Sequence, residues 1–579
     1  MNNSPIKHQP ANALDQVVHA KLAHLTQGIS PVSIAGAYMD WLMHLAISPG
    51  KQQELMSKAV RKTTRIGLHA LKSPATQGES CIEPLPQDRR FAAPEWQQWP
   101  FNLIYQSFLL HQQWWYNATT GVQGVTAHHE QITTFGVRQL LDMASPSNFF
   151  LTNPEVLSQT LKTGGTNLLQ GAQNQVRDMM RQASGQPLPG TENFVPGKGV
   201  AVTPGKVVFR NHLIELIQYS PQTETVFAEP VLIVPSWIMK YYILDLSPGN
   251  SLVRYLVENG HTVFIVSWKN PDSSDRNLGM DDYLKAGVMA AIDAISAIVP
   301  ERKIQALGYC LGGTLLTMAA AFMARSHDHR LNALALLASE LDFTEPGELG
   351  LFIDESQLAF LDDMMAENGY LDGKQMAGAF ALLNSRDLVW SHMKHEYLMG
   401  HDQPINDLAA WNLDATRMPY RQHSEYLRRL YLRNDLAEGR YLVDGKPIAL
   451  TDIRVPFFSL GTQHDTVSPW HSVYKVNLLT DVEVTFCLTT GGHNVGIVNP
   501  PGPGVKRSYQ LATRAADDRY IDPDTWISTA PEHEGSWWPA LASWLQQHNG
   551  QRVAPPPAGN PARGYPALAD APGHYVLIP

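Results

Sequence analysis

Cysteine is almost missing from this chain: Cys81, Cys310 and Cys487 are the only three among 579 residues. So few, so widely scattered, exclude a disulfide framework and a cysteine-ligated zinc site, and they fit a reduced cytoplasmic setting. Basic charge is also in short supply, with 44 Lys and Arg against 54 Asp and Glu and a formal charge of −10. That balance speaks against general affinity for nucleic acid or anionic membrane, both of which reward basic surfaces, and an anionic substrate then needs a local basic pocket. No run of about 20 apolar residues suggests a membrane span. The opening stretch MNNSPIKHQPANALDQ lacks the basic head, apolar run and small-residue cleavage site of a secretory signal. The expectation is a soluble, intracellular protein.

What is present is a globular composition, 44% hydrophobic and 17% charged, without the aromatic poverty of a disordered chain. The length exceeds one usual domain, so two regions are expected. Apolar positions recur at helical spacing from about 15 to 180, through Leu22, Leu25 and Ile29 and again through Trp99, Leu103 and Leu110. Segment 183–206, ASGQPLPGTENFVPGKGVAVTPGK, has the composition of a linker. This divides the chain into a helical N-terminal domain at 1–190 and a second domain at 191–579.

In the second domain short apolar runs alternate with helical stretches, the pattern of a mostly parallel sheet covered by helices. The runs are 231–235, 262–268, 303–308, 332–338, 455–461 and 483–489, with helices expected at 281–298 and 311–325. Between the fourth and fifth runs the strand pattern stops, and 341–450 reads as a helical, aromatic-rich insertion of the kind that lids an active site. The Pro- and Ala-rich tail from about 551 is expected to be extended or mobile at its end.

The sharpest motif is Gly308-Tyr309-Cys310-Leu311-Gly312-Gly313, between a strand-like run and an Ala- and Met-rich helix. It has the form of a nucleophile elbow with Cys in place of Ser. The strained turn exposes the nucleophile, and the flanking glycines let strand and helix pass closely. A helix N-terminus also favours thiolate over thiol. Taken alone, Cys310 reads equally well as a small buried thiol in a Gly-rich turn.

Two later residues shift that balance, because a triad on an α/β-hydrolase fold runs nucleophile, acid, base along the chain. Asp465 in GTQHDTVSP follows the run 455–461, and His493 in TTGGHNVG follows 483–489. Each sits where a strand empties into a loop. A turn-forming role for Asp465 and a structural role for any one of the 22 histidines are the plain alternatives. Asp342, after the 332–338 run, is a rival acid. For the oxyanion the candidates are backbone amides, Leu311 directly after the nucleophile and Ile238 in the loop 234–246, VPSWIMKYYILDL. Tyr241 and Tyr242 of that loop read as core.

Taken together, GYCLGGT, PSWIMKYYILDLSP, SWKNPD at 267–272, GTQHDTVSPW, GGHNVGIVNPP and GSWWPALASWL at 535–545 resemble the polyhydroxyalkanoate synthases, class I-like bacterial polyester polymerases. The resemblance runs from roughly residue 90 to 545. It implies an α/β-hydrolase catalytic domain with a helical lid insertion, preceded by a mostly helical domain tied to oligomerisation and granule association. It implies Cys310 as the thiolate carrying the growing chain, His493 as general base and Asp465 as its partner. It implies (R)-3-hydroxyacyl-coenzyme A as substrate, polyester and free coenzyme A as products, no cofactor beyond that substrate and no metal, a homodimer, and a cytoplasmic location at the polyester granule surface. Two departures stand out. Met239 occupies the oxyanion loop where many relatives carry Asn, leaving only backbone donors there, and Thr466 follows the acid where many carry His, while His464 precedes it.

Two other readings compete. A cysteine-dependent hydrolase, such as a thioesterase or intracellular polyester depolymerase, would share elbow and triad, but it would not need a long helical region and a large insertion. A non-catalytic granule-coat protein would use aromatic helices such as 96–116, with Trp96, Trp99, Trp114 and Trp115, although domain packing explains those residues too.

Overall fold

A computed structural model describes residues 12–26, 28–72, 80–85, 87–373, 375–376, 378, 385–402, 404–504 and 507–579. The first eleven positions of the opening stretch, 73–79 of the helical reading and 379–384 of the insertion lie outside the described residues. The chain forms two compact units, one from 1–28, 190–377 and 405–579, the other from 29–189 and 378–404.

The larger unit is organised by an 11-stranded sheet. Its strands are β1 (Gly205–Arg210), β2 (Ile214–Tyr219), β3 (Val231–Val234), β4 (Val263–Trp268), β5 (Ile304–Tyr309), β6 (Leu331–Leu337), β7 (Phe457–Thr462), β8 (Val484–Thr489), β9 (Ser508–Arg514), β10 (Glu532–Glu534) and β11 (Ala569–Asp570). They lie side by side in the order β10-β9-β8-β7-β6-β5-β3-β4-β2-β1-β11. From β4 through β3, β5, β6 and β7 to β8 every neighbour is parallel. Antiparallel strands flank that centre on both sides. Parallel strands are covered by helices on both faces, so they read as unbroken apolar runs; VFIVSW in β4 and VTFCLT in β8 are buried at every position. Each expected run lies within two residues of a central strand.

The flanking strands were not expected. β9 is half-exposed along its length and β2 carries Glu215 and Gln218, so neither shows the apolar continuity of the centre. Glu215 is fully buried, and its carboxylate accepts from Arg210 and from the amides of His574 and Tyr575.

The tail departs from expectation. Arg552–Val553 pairs with Val226–Phe227, β11 closes the sheet beside β1, and the Lys240 ammonium donates to the carbonyls of Val576 and Ile578. Backbone pairing at these points holds a Pro-rich segment that composition alone marks as loose.

The insertion after β6 is mostly helical, with Glu355–Asn368, Asp407–Leu413 and Tyr420–Tyr426, the last continuing through a π-helical turn at Leu427–Leu432. It is stitched to the loop after β3: Trp411 Nε1 donates to the Lys240 carbonyl at 2.8 Å and Tyr242 OH to Asp414 at 2.9 Å. The helix Ala13–Leu25 packs on Glu355–Asn368, with His19 Nδ1 2.6 Å from Asp363.

The smaller unit is helical, with Pro31–Ala46, Pro49–Lys72, Phe101–Thr119, Ala127–Met143, Pro154–Thr163 and Thr166–Ser184. Thr126 and Asn153 cap their helices, each accepting a first-turn amide, and Pro154 sits at the first helical position. Trp96 is buried edge-on against Phe91 and Tyr105 and donates to Glu155, so it packs this unit, while Trp99 is exposed. No helix among the described residues is long and apolar enough to cross a membrane.

Candidate active site

The carboxyl ends of β5, β7 and β8 bring Cys310, Asp465 and His493 together. Cys310 directly follows β5 and directly precedes the helix Leu311–Arg325, with φ +52° and ψ −128°. A non-glycine residue at positive φ is strained. The surroundings enforce it: the Cys310 amide donates to the Leu337 carbonyl of β6 at 2.9 Å, and the helix starts at the next residue. The two flanking glycines are required sterically. A Cβ on Gly308 would lie 2.2 Å from Gly313 Cα, and one on Gly312 would lie 2.2 Å from the Val234 carbonyl oxygen. The turn at Cys310 is therefore packed against both the helix Leu311–Arg325 and the end of β3.

Asp465 is held by four donors. Its Oδ1 accepts the amides of Val467 at 2.9 Å and Ser468 at 2.8 Å, and its Oδ2 accepts Thr462 Oγ1 at 3.0 Å and His493 Nδ1 at 2.8 Å. The Asx-turn role and the role toward histidine are thus both present, one on each oxygen. With Nδ1 bound to a carboxylate, Nε2 is the ring nitrogen left for exchange with Cys310. Burial alone would pull the His493 imidazolium down, but the charges of Asp465 and Cys310 and hydrogen bonds to both outweigh it and hold the pKa well above its ordinary value. The imidazole so held is a strong base beside the Cys310 sulfur. The ring also lies against Tyr309, centroids 5.7 Å apart, and Tyr309 OH donates to Asn494 at 2.7 Å.

The rival acid lies elsewhere. Asp342 Oδ1 accepts the Thr344 amide at 2.8 Å and faces Lys475 at 3.4 Å. Of the oxyanion candidates, the Leu311 amide opens the nucleophile helix, where first-turn donors have no intrahelical acceptor. The Ile238 amide makes a long bond of 3.4 Å to Ser236 Oγ inside its own loop. Met239 bridges through its backbone to Ala415 of the insertion. Tyr241 and Tyr242 are core, as expected.

The other cysteine of this unit is a different kind of thiol. Cys487 lies within β8, fully buried, and burial pushes its thiol well above the ordinary range. Sequence reasoning missed Glu340, Tyr426 and Tyr431. Burial first, then the Asp465 and Cys310 charges, push the Glu340 carboxyl well above the usual carboxylate range. Its only signal was an acid three residues past the end of a strand, which reads as a turn residue.

Comparison with known proteins identifies the fold and the family. The family model "Poly-beta-hydroxybutyrate polymerase (PhaC) N-terminus" matches residues 87–256, "Poly-beta-hydroxybutyrate polymerase N terminal" matches 9–51, and "alpha/beta hydrolase fold" matches 229–500. The chain is 42% identical over 535 residues to a poly(3-hydroxyalkanoate) polymerase of Methylorubrum extorquens, spanning 90% of this chain and 87% of that one. It is 36% identical over 546 residues to a poly(3-hydroxyalkanoate) polymerase subunit of Cupriavidus necator, spanning 93% of this chain and 90% of that one. With such matches running from the N-terminal helices through the sheet that carries Cys310, Asp465 and His493, the chain belongs to the poly(3-hydroxyalkanoate) polymerase family, acyl-transferring synthases on an α/β-hydrolase fold.

Proposed function

We propose that this chain polymerises (R)-3-hydroxyacyl-coenzyme A thioesters into polyester and releases coenzyme A, through a covalent thioester on Cys310. The observation that carries the reading is His493, bound to Asp465 at 2.8 Å on one side and interacting with Cys310 on the other. In loading, the Cys310 sulfur attacks the thioester carbonyl, and the coenzyme A sulfur leaves with the proton held by His493. In elongation, the 3-hydroxyl oxygen of the next unit attacks the acyl carbon on Cys310. An ester bond forms as the carbon–sulfur bond breaks, and the hydroxyl proton passes through His493 to the departing sulfur. The lengthened chain then reloads Cys310 from its own coenzyme A thioester. Cysteine suits this cycle because transfer between thioesters is nearly isoenergetic and keeps the acyl group reactive.

The proposed oxyanion donors are the amides of Leu311 and Ile238. Asp465 keeps the imidazole in the useful tautomer. The insertion excludes water, which favours transfer to a hydroxyl over hydrolysis. The same reading makes the protein a cytoplasmic homodimer at the granule surface. The test is coenzyme A release from 3-hydroxybutyryl-coenzyme A followed together with turbidity, for the protein and its Cys310→Ala variant. Release with insoluble polyester, lost in the variant, supports the synthase; release that yields only free hydroxy acid identifies a hydrolase instead.

A further inference from the structure

Glu340 stands three residues beyond the end of β6, the strand paired in parallel with β5 so that Leu337 lies opposite Tyr309. That register sets Glu340 beside the elbow, and Thr314 Oγ1 of the nucleophile helix donates to its backbone carbonyl at 2.8 Å. Glu340 is 3% exposed, and its Oε1 is buried with no hydrogen-bond partner. A buried carboxyl oxygen left unpaired is costly and needs a reason.

The surroundings narrow that reason. Asp465, Cys310, His493 and Lys475 are the charged and titratable groups that act on the Glu340 carboxyl, and Tyr426 and Tyr431 feel both this carboxyl and Cys310. Tyr426 and Tyr431 join through their hydroxyls at 3.1 Å. The Trp237 ring stands edge-on to Tyr426, centroids 5.9 Å apart, and its Nε1 is likewise buried without a partner. The nucleophile thus shares its aromatic surroundings with two polar groups that nothing in the protein satisfies.

We propose that Glu340 recognises the 3-hydroxyl of the hydroxyacyl thioester arriving at Cys310, its unpaired Oε1 accepting that hydroxyl's hydrogen, and so selects hydroxyacyl over plain acyl thioesters. The assignment rests on the polymerase reading above. A carboxyl whose burial favours its protonated form is well matched to this role, because that form offers an acceptor and a donor to a hydroxyl and does not compete with His493 as a base. A buried polar group satisfied only by the right substrate is also what rejects an analogue lacking the hydroxyl, by much more than an apolar pocket can reject a missing methylene.

The experiment compares single-turnover coenzyme A release from (R)-3-hydroxybutyryl- and butyryl-coenzyme A in wild type, Glu340→Gln and Glu340→Leu. The expected preference of the wild type for the hydroxylated thioester is about a hundredfold or more. Leucine lowers that ratio by about tenfold or more, while glutamine, which keeps an acceptor, stays within about threefold of wild type. An unchanged ratio in the leucine variant overturns this assignment alone, as does an equal loss with glutamine. Wild-type protein that releases coenzyme A from neither thioester overturns the polymerase reading together with it. A second readout needs no substitution of Glu340 to remain folded. In the Cys310→Ala protein the infrared band of the protonated carboxyl shifts on adding 3-hydroxybutyryl-coenzyme A and not butyryl-coenzyme A; a band indifferent to both overturns the proposal.

Discussion

His493 Nδ1 and Asp465 Oδ2 lie 2.8 Å apart, and the other Asp465 oxygen is pinned by two backbone amides. The carboxylate cannot swing away from the imidazole without breaking its own turn. Asp465→Asn keeps the shape of that turn but offers an amide where the ring nitrogen needs an acceptor. The expected result is a fall in coenzyme A release of roughly a thousandfold to ten-thousandfold with an unchanged melting temperature, since the substitution spoils the tautomer more than the fold. Activity within tenfold of wild type would remove Asp465 from the mechanism.

Thiol labelling separates the cysteines of the larger unit. The charges of Asp465 and Cys310 hold the His493 pKa well above its ordinary value, so the imidazole is a strong proton acceptor beside the Cys310 sulfur. Iodoacetamide is expected to label Cys310 in the folded protein at neutral pH. In His493→Gln that labelling should slow by about tenfold or more. Cys487, buried in β8, should stay unlabelled in the folded protein. Peptide mapping by mass spectrometry reads all three outcomes.

Glu340 has a measurable effect on stability as well. Burial, then the charge of Asp465, hold its folded pKa well above the value near 4.3 expected when unfolded. Between those two values the folded chain binds a proton that the unfolded chain has lost, so stability falls as pH rises. Glu340→Gln removes this slope. The melting temperature of the variant should exceed that of wild type by a margin that vanishes below about pH 4 and grows as the pH rises above the unfolded value. A constant margin across that range would contradict the burial of an unpaired carboxyl.

The elbow leaves almost no room for an added atom. Gly312→Ala places a methyl 2.2 Å from the Val234 carbonyl oxygen and 2.6 Å from that of Pro235, with backbone atoms that cannot rotate aside. The expected loss is about 1–3 kcal/mol in denaturant titration, accompanied by loss of activity as the helix backs away from β3. Gly249, whose added Cβ meets nothing within 4 Å, serves as the neutral control.

Much of this was legible before any coordinates. The central strands announce themselves because burial on both faces forces every side chain to be apolar, and the meeting of Cys310, Asp465 and His493 follows because each sits where such a run ends. The antiparallel flanks were not legible. β9 is half-exposed along its length, and β2 hides a buried Glu215 that is satisfied by amides from residues 574 and 575, partners that no local pattern can foretell. The tail misled for a related reason, since its order comes from Lys240 and from pairing with β1 rather than from its own composition. Glu340 was passed over in favour of Asp342, two positions on, because an acid after a strand looks like turn chemistry until its neighbours are known.

The seclusion of Cys487 has a consequence for oxidative damage. Within the larger unit it is the only other thiol, and it lies in β8, three strands from β5. At about 4.8 Å per strand that separation is roughly twice what a disulfide can span. Once peroxide has taken the Cys310 thiolate to a sulfenic acid, this unit offers it no resolving partner, and further oxidation is irreversible. On the proposed mechanism an acyl chain on the sulfur removes the thiolate that peroxide attacks. A working enzyme is then shielded by its own product, and an idle one is the vulnerable form.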